Sequence, residues 1–245
     1  MYKSVLFISD NEYMCKQIEN IIFQYKSETN KFSFAISPFS DRQSFTNSLS
    51  EDLHVFDLRN SNDIDLIINN YDLIISVHCK QLFPKKLINH VKCINIHPGY
   101  NPSNRGWYPQ VFSILNDDII GATIHEIDEE IDHGPIIARE TVIKDSIDTS
   151  GSLYDKILQK EIELFEKHFS SILDNSYAVE YPENEGKLYL KKDFNDLCKL
   201  DLNEISSLKN FIQKMKALTH KDFKNAFFID EDTNEKVYVS INIRK

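Results

Sequence analysis

A side chain suited to acid–base chemistry and another suited to hydrogen-bond donation lie close together in residues 95–99. Asn95 and His97 are separated by one residue, and alternate side chains of a strand face the same side. A histidine there can act as a general base, and an amide can donate a hydrogen bond to an oxyanion. Because such a pair has little specificity on its own, a structural histidine beside a turn-forming asparagine is the alternative.

The acidic residues 128–132 contain the third candidate group, Asp132. Gly134 follows it and permits a tight turn with a close backbone approach. A carboxylate at this turn can orient His97 and stabilise its protonated form, although acidic runs of this kind also form solvated loops. Together Asn95, His97 and Asp132 suit the attack of an amine on an acyl carbon, with the histidine as base and the amide as oxyanion donor.

Several other chemistries are disfavoured by the sequence. There is no G-x-S-x-G motif for a serine nucleophile. With only six glycines, the chain has neither the G-x-G-x-x-G of dinucleotide-binding folds nor a P-loop. A metal-binding protein is the alternative from another class. Its ligands would be His97, His125, Asp132 and His133, but no H-E-x-x-H or helical ligand pair accompanies them, so we predict no metal. A pure binding module has no use for a base beside an oxyanion donor.

Composition narrows the partners and the compartment. The net charge of -10 disfavours nucleic acid, and one or two local cations suffice for a small phosphorylated ligand. The longest apolar runs are strand-sized, which predicts no transmembrane helix and no membrane partner, and the N-terminus lacks the features of a signal peptide. The four cysteines form no C-x-x-C pair. They are typical of reduced thiols in a cytoplasmic protein.

The elements that must position these residues follow from hydrophobic periodicity. Short apolar runs alternate with helical patterns, which predicts a doubly wound, mainly parallel α/β sheet of Rossmann-like form with helices on both faces. The predicted strands are residues 5–9, 32–36, 53–58, 72–78 and 93–97, and the helices between them are 12–25, 63–70 and 84–91. Ligands bind at the carboxyl ends of such strands. Asn95 and His97 therefore end the fifth strand at the ligand-binding edge.

The rest of the chain is predicted to contain a helix at 109–115, strands at 122–127 and 136–143 and a long helix at 152–173. A polar stretch divides the whole chain into a catalytic domain, residues 1–184, and a C-terminal region, residues 185–245. That region is predicted to hold a helix near 202–218 and a hairpin of strands 225–229 and 236–243. An isolated hairpin with one apolar face is marginally stable. We therefore predict a homodimer that covers it through Phe227, Val237, Val239 and Ile241.

Three motifs in order make a more specific pattern. They are Asn95-x-His97-Pro98-Gly99, Pro102-x-x-Arg105-Gly106 and Ile131-Asp132-x-Gly134-Pro135-Ile136. This pattern resembles the formyltransferase family that uses N10-formyltetrahydrofolate, over about residues 1–180. The resemblance implies that Asn95, His97 and Asp132 are the catalytic trio and that folate is the co-substrate. The familiar His-Pro-Ser-Leu-Leu-Pro of that family is replaced by a polar loop, residues 97–102.

The C-terminal residues 189–193, 215–220 and 225–228 are similar to the tail of the small sugar N-formyltransferases. That resemblance implies a dTDP-linked amino-dideoxyhexose as acceptor, with dTDP-4-amino-4,6-dideoxyglucose favoured over the 3-amino isomer, for O-antigen lipopolysaccharide. Other folate-dependent formyltransferases and a formyltetrahydrofolate hydrolase remain alternatives. The folate site is predicted at Ser76, His78, Asp128 and Glu129. The nucleotide-sugar site is predicted at Asp10, Asn11, Lys80, Asn101, Asn104, Arg105, Trp107 and Tyr108, where helix capping, surface lysine and core aromatic roles are the alternatives.

Overall fold

A computed structural model describes residues 1–50 and 53–245 of the chain. Its strands are β1 (Ser4–Ser9), β2 (Lys31–Ile36), β3 (Leu53–Val55), β4 (Leu73–Val77), β5 (Lys92–His97), β6 (Arg105–Gly106), β7 (Gly121–Glu126), β8 (Ile136–Thr141), β9 (Leu188–Tyr189), β10 (Phe227–Ile229) and β11 (Lys236–Tyr238). Its α-helices are α1 (Glu12–Ile22), α2 (Arg42–Ser48), α3 (Ser61–Asn70), α4 (Lys85–Ile88), α5 (Pro109–Asn116), α6 (Ser150–Leu173), α7 (Lys191–Cys198) and α8 (Leu208–Leu218).

Seven strands form the main sheet in the order β3-β2-β1-β4-β5-β7-β8. The five strands from β3 to β5 run parallel, and β7 pairs antiparallel with β5. Right-handed crossovers through helices are the usual way to join parallel neighbours, which explains why strands and helices alternate in the first hundred residues. The predicted α/β class with a mainly parallel sheet is confirmed.

The chain divides into two compact units. The first consists of Met1–His97, Thr123–Arg139 and Glu161–Glu183, and the second of Pro98–Ala122, Glu140–Lys160 and Asn184–Lys245. The core of the first unit packs side chains of β1 and β4 against α3 and α4, among them Leu6, Ile8, Ile74, Ile67 and Leu87. Strands β1 and β4 are buried along almost their whole length. This is why they read as continuous apolar runs in the sequence.

The core of the second unit is built on α5, α7 and α8. The rings of Phe112 and Tyr189 stack at a centroid distance of 3.8 Å. Phe227, Val239 and Ile241 pack against this core. The chain itself therefore contacts three of the four hairpin residues that sequence analysis assigned to a second copy. The fourth, Val237, is 38% exposed.

Element boundaries differ from the sequence-based expectations where capping residues decide them. The helix expected near 202–218 begins at Leu208, because the Ser207 side chain accepts a hydrogen bond from the Asn210 backbone N–H. Two helices were not predicted at all, α2, which Asp41 caps, and α7. Strand β11 ends at Tyr238, although apolar alternation continues to Ile243. Among the described residues, no helix combines the length and apolar character needed to cross a membrane.

Candidate active site

Strand β5 presents Asn95 and His97 at its carboxyl end, as predicted. Ile94 and Ile96, which alternate with them, are buried. In the antiparallel pairing with β7, Asn95 lies opposite His125 and His97 opposite Thr123. His97 is itself almost completely buried. An imidazole in this position is shielded from water, which favours proton transfer with a bound reactant over exchange with solvent.

Asp132 is in contact with both predicted partners. Its Oδ1 accepts a hydrogen bond from Asn95 Nδ2 at 3.0 Å, and its Oδ2 lies 3.4 Å from His97 Nδ1. When Nδ1 carries the proton that faces the carboxylate, a neutral His97 has its lone pair on Nε2. The carboxylate thus orients both the amide and the imidazole, which is the arrangement a general base with an adjacent oxyanion donor requires.

A tight turn after β7 brings Asp132 to this position. Asp132 adopts the left-handed backbone conformation, with φ of 47°. Two residues later the backbone approaches β7 so closely that a Cβ on Gly134 would lie 2.0 Å from the Glu126 carbonyl oxygen. The Glu126 N–H also donates to the Pro135 carbonyl at 2.9 Å. The close backbone approach predicted for Gly134 is therefore present, and only glycine fits there.

His125 is a member of this cluster that sequence analysis did not assign to the catalytic group. Its buried ring donates from Nδ1 to the Glu126 carbonyl at 2.8 Å. Its Nε2 lies 3.3 Å from Asn95 Nδ2 and 3.4 Å from Asp132 Oδ1. His125 therefore lies behind the amide and the carboxylate. Alternation along β7 gives the only sequence signal, because it places His125 on one face with Thr123. Its proximity to Asn95 depends on a strand pairing that the sequence does not reveal.

A second buried pair, His78 and Glu161, lies in the same unit. His78 follows β4 in the left-handed conformation, with φ of 55°. Its Nε2 donates to Glu161 Oε2 at 2.8 Å, and the Glu161 carboxylate is fully buried. The parallel register of β4 and β5 ends with Val77 beside Ile96, so His78 and His97 each follow its last pair by one residue. Glu161 lies 83 residues after His78, so no local sequence pattern connects them.

The other residues predicted to bind folate have partners within the protein. Ser76 is buried on β4, beside Asn95 in the parallel register. Asp128 Oδ2 lies 2.6 Å from His133 Nδ1, and Glu129 pairs with Lys85 at 2.6 Å. These contacts order the loop after β7 and leave the folate assignments as predictions.

Asp10, Asn11 and Lys80 meet at the carboxyl ends of β1 and β4. Asp10 accepts hydrogen bonds from Ser37 and Ser40 in the loop after β2. It also accepts one from the Lys80 backbone N–H at 2.6 Å. The Asn11 side chain caps α1 by accepting from the Met14 N–H. Capping by Asn11, the alternative considered from sequence, is therefore observed. Their roles towards a nucleotide sugar stay predictions.

The remaining predicted substrate residues belong to the second unit. Asn101, Asn104 and Arg105 are all buried. Asn104 Oδ1 accepts from the Tyr100 N–H, and the Arg105 guanidinium donates to the Glu185 carbonyl. These contacts shape the loop itself.

The two aromatic residues of this loop differ in exposure. Tyr108 stacks on Phe194 at 4.0 Å and packs against the core of the second unit, which matches the core alternative. Trp107 is more exposed, and the Lys191 ammonium lies 5.5 Å from its ring centre. Within residues 1–50 and 53–245, no group of three or more His, Cys, Asp or Glu side chains has the arrangement of a metal site.

Comparisons with known proteins match the chain in both sequence and fold. Residues 49–168 match the family described as "Formyl transferase", and residues 193–245 match the "N-formyltransferase dimerization C-terminal domain". A dTDP-4-amino-4,6-dideoxyglucose formyltransferase of Mycobacterium tuberculosis is 51% identical over 175 residues, which are 71% of this chain and 74% of that protein.

Two solved structures match almost the whole chain. A sugar N-formyltransferase from Shewanella sp FDAARGOS_354 is 36% identical with a TM-score of 0.94, covering 99% of this chain and 98% of its own. A 4-N formyltransferase from Francisella tularensis is 40% identical with a TM-score of 0.92 and the same coverage.

Proposed function

The chain belongs to the formyltransferase family, among its sugar N-formyltransferases, and on this premise we propose that it formylates the amino group of a dTDP-linked amino-dideoxyhexose. The formyl donor is N10-formyltetrahydrofolate. The observation that carries the proposal is the Asp132 carboxylate, which contacts the Asn95 amide and the His97 imidazole together. That arrangement suits transfer of an acyl group to an amine without a covalent enzyme intermediate.

In the proposed reaction, His97 Nε2 accepts the proton that the amine loses as it attacks the formyl carbon. As the bond between the formyl carbon and N10 of the folate breaks, the imidazolium returns that proton to N10, which releases tetrahydrofolate. Asp132 holds the imidazole through Nδ1 and stabilises the imidazolium that forms. One N–H of Asn95 is held by Asp132. The other N–H contacts His125 at 3.3 Å, a longer distance than the 3.0 Å to Asp132. This second N–H exchanges the His125 contact for a hydrogen bond to the developing oxyanion.

The favoured acceptor is dTDP-4-amino-4,6-dideoxyglucose, because the Mycobacterium relative carries that name at 51% identity. The product would supply O-antigen lipopolysaccharide assembly. A formyltetrahydrofolate hydrolase is the competing function, since the same trio could activate water. The two functions can be distinguished by their need for an amino sugar. The transferase requires one as acceptor, whereas the hydrolase releases formate without it.

We assign residues 185–245 to dimerisation, and we propose a homodimer. The match of residues 193–245 to a dimerisation domain supports this, as does the exposure of Val237 and Tyr238 on the hairpin.

The cytoplasm is the proposed compartment, where thiols stay reduced. The four cysteines are free in the structure. Burial raises the pKa of Cys79 and Cys93 to about 12, so these groups are protonated and unreactive at neutral pH.

The test is to incubate the protein with N10-formyltetrahydrofolate and a panel of nucleotide amino sugars, and to follow each sugar by mass spectrometry. We expect dTDP-4-amino-4,6-dideoxyglucose to gain one formyl group in step with the formation of tetrahydrofolate. The 3-amino isomer and a UDP-linked analogue are the specificity controls. Formate release without sugar, and no formylated product with any sugar, would instead identify a hydrolase.

A further inference from the structure

An exposed aromatic side chain, Phe39, lies at the ligand-binding edge of the main sheet. It belongs to the loop that follows β2, and its exposed fraction is 58%. Single exposed apolar side chains are common on folded proteins, but ligands of parallel α/β sheets bind at the carboxyl edge, so the position of this ring makes it a candidate ligand contact. The proposed mechanism does not use it.

The loop that carries Phe39 is held in place by Asp10, the residue that follows β1. Asp10 Oδ1 accepts hydrogen bonds from the Ser37 N–H at 3.0 Å, the Ser37 hydroxyl at 2.5 Å and the Ser40 hydroxyl at 2.6 Å. The Phe39 N–H also donates to Ser37 Oγ at 3.3 Å. The ring is therefore presented on a fixed loop, which reduces the conformational entropy lost when a ligand stacks on it.

A guanidinium group lies over the same ring. The Arg59 guanidinium carbon is 5.2 Å from the centre of the Phe39 ring, within cation–π range. Arg59 is in turn held by Asp57, which accepts from its Nε and Nη2 at 2.8 Å each. The Arg59 hydrogen bonds lower the pKa of Asp57 to about 2. The carboxylate is thus ionised at neutral pH, and the pair carries no net charge.

We propose that Phe39 and Arg59 form the platform on which the pyrimidine base of the nucleotide sugar stacks. This inference rests on the proposed function and names the part of its substrate site that holds the base. The neutral Arg59–Asp57 pair favours a flat uncharged ring over a phosphate, because it offers an anion no net charge. Every nucleobase can stack on an aromatic side chain, and a neighbouring arginine strengthens the stack.

The order of strands agrees with the shape of a nucleotide sugar. From β5, which carries His97, the sheet continues through β4 and β1 to β2. Three strand spacings are about 14 Å. The loops that carry Asp10 and Lys80 follow the two intervening strands, and Lys80 is exposed, so a diphosphate that joins hexose and base would pass these loops. Amine, diphosphate and base would thus be laid out in sequence along one edge.

The folate rings are the competing occupant of Phe39. The predicted folate residues lie on β4 and after β7, which flank β5 directly, whereas β2 is three strands from β5. We therefore assign the Phe39 platform to the nucleotide. The test distinguishes the two ligands, because each has its own KM.

The experiment compares Phe39→Ala and Phe39→Trp with the unmodified protein, using calorimetry with dTDP and steady-state kinetics with both substrates. Loss of one base–aromatic stack should weaken dTDP binding and raise the KM for the nucleotide sugar by roughly 5- to 150-fold, with little change in kcat. Phe39→Trp should retain most of the affinity, and the KM for the folate donor should stay unchanged in both variants.

Phe23 offers a matched control. It is also an exposed phenylalanine, 72% exposed, and the Lys26 ammonium lies 5.6 Å from its ring centre. It follows α1 and precedes β2, which places it towards the amino ends of the strands. Phe23→Ala should therefore leave dTDP affinity and both KM values unchanged.

Unchanged dTDP affinity in Phe39→Ala, or a rise in the folate KM alone, would overturn the inference. So would equal losses in the Phe39 and Phe23 variants. The proposed function fails separately, because it requires that the unmodified protein formylate a dTDP-amino sugar, whatever Phe39 does. Calorimetry with dTDP tests the platform even if no formylated product is found.

Discussion

At the scale of single residues, the site depends on the Asp132 carboxylate, which contacts two other side chains. Asp132 receives a hydrogen bond from the Asn95 amide and lies beside the His97 imidazole, while His125 lies behind both. Asn95 contacts Oδ1 of this carboxylate and His97 contacts Oδ2. The roles of base and oxyanion donor can therefore be tested by separate substitutions.

His97→Asn should abolish proton abstraction while leaving the nucleotide sugar bound. The asparagine amide can still donate to Asp132, so the fold of the site is retained. We expect a loss in kcat of about 10²–10⁴, the usual range for a general base. Turnover close to that of the unmodified enzyme would show that His97 is not the base.

Asn95→Ala should lower kcat by roughly 10²–10³, the range for loss of one oxyanion donor. Nucleotide-sugar affinity, measured by calorimetry, should change little. Asn95→Ala also removes the hydrogen bond to Asp132, so Asp132→Asn is the companion variant. If affinity falls while kcat is unaffected, Asn95 binds substrate and does not stabilise the transition state.

At the scale of elements, the turn between β7 and β8 determines where Asp132 lies. Gly134→Ala introduces a methyl group 2.0 Å from the Glu126 carbonyl oxygen. The turn must shift, which should cost about 1–3 kcal/mol of stability and displace the carboxylate from Asn95 and His97. We expect a clear fall in kcat together with a lower denaturation midpoint.

Gly121→Ala is the control for this prediction. Its added methyl would lie 2.0 Å from the Glu140 carbonyl oxygen, an equally close backbone approach in the second unit. It should cost similar stability with a smaller loss in kcat. Equal losses in kcat from both variants would mean that general destabilisation, and not the position of Asp132, explains the result.

A further element-scale prediction concerns His220, whose Nδ1 lies 3.0 Å from the Ser150 hydroxyl at the start of α6. Burial, and then the positive charge of Lys221, lower its pKa, against a smaller opposite effect of Asp155. Because the folded-state pKa lies below the ordinary value of 6.5, the unfolded chain binds the proton more readily. The contribution of the neutral His220 to folding stability is therefore fully present above pH 6.5 and is lost as the pH falls below that value.

Urea denaturation between pH 7.5 and 5.5 measures this effect. The midpoint of the unmodified protein should fall more steeply with acidification than that of His220→Gln, which cannot take up the proton. Parallel curves for the two proteins would show that His220 makes no contribution to the pH dependence.

At the scale of the whole molecule, the C-terminal hairpin serves two contacts. Phe227, Val239 and Ile241 pack on their own core, while Val237 and Tyr238 stay exposed. The proposed dimer should therefore use the exposed pair.

Val237→Asp should shift the protein towards the monomer in sedimentation experiments at micromolar concentration, because an unpaired charge would be buried in the dimer interface. Thr233→Asp, in the hairpin turn, should leave the assembly unchanged. A monomeric unmodified protein would rule out the dimer.

Local patterns in the sequence determined much of this protein. Continuous apolar runs predicted β1 and β4, because strands covered on both faces must be apolar throughout. Alternation placed Asn95 and His97 together at a strand end, and the Asp132–Gly134 motif predicted the close turn that the structure contains. These features depend on residues within a few positions of one another, so sequence reasoning reached them.

Only the tertiary structure decided which distant groups meet. His125 reaches Asn95 because β7 pairs antiparallel with β5, and Glu161 reaches His78 across 83 residues. Asp10 binds the loops after β2 and β4, which brings Phe39 and Lys80 to one edge. Such contacts follow from strand order and packing between remote segments. Periodicity within one segment carries no information about its neighbours in space, and for that physical reason the sequence alone could not locate them.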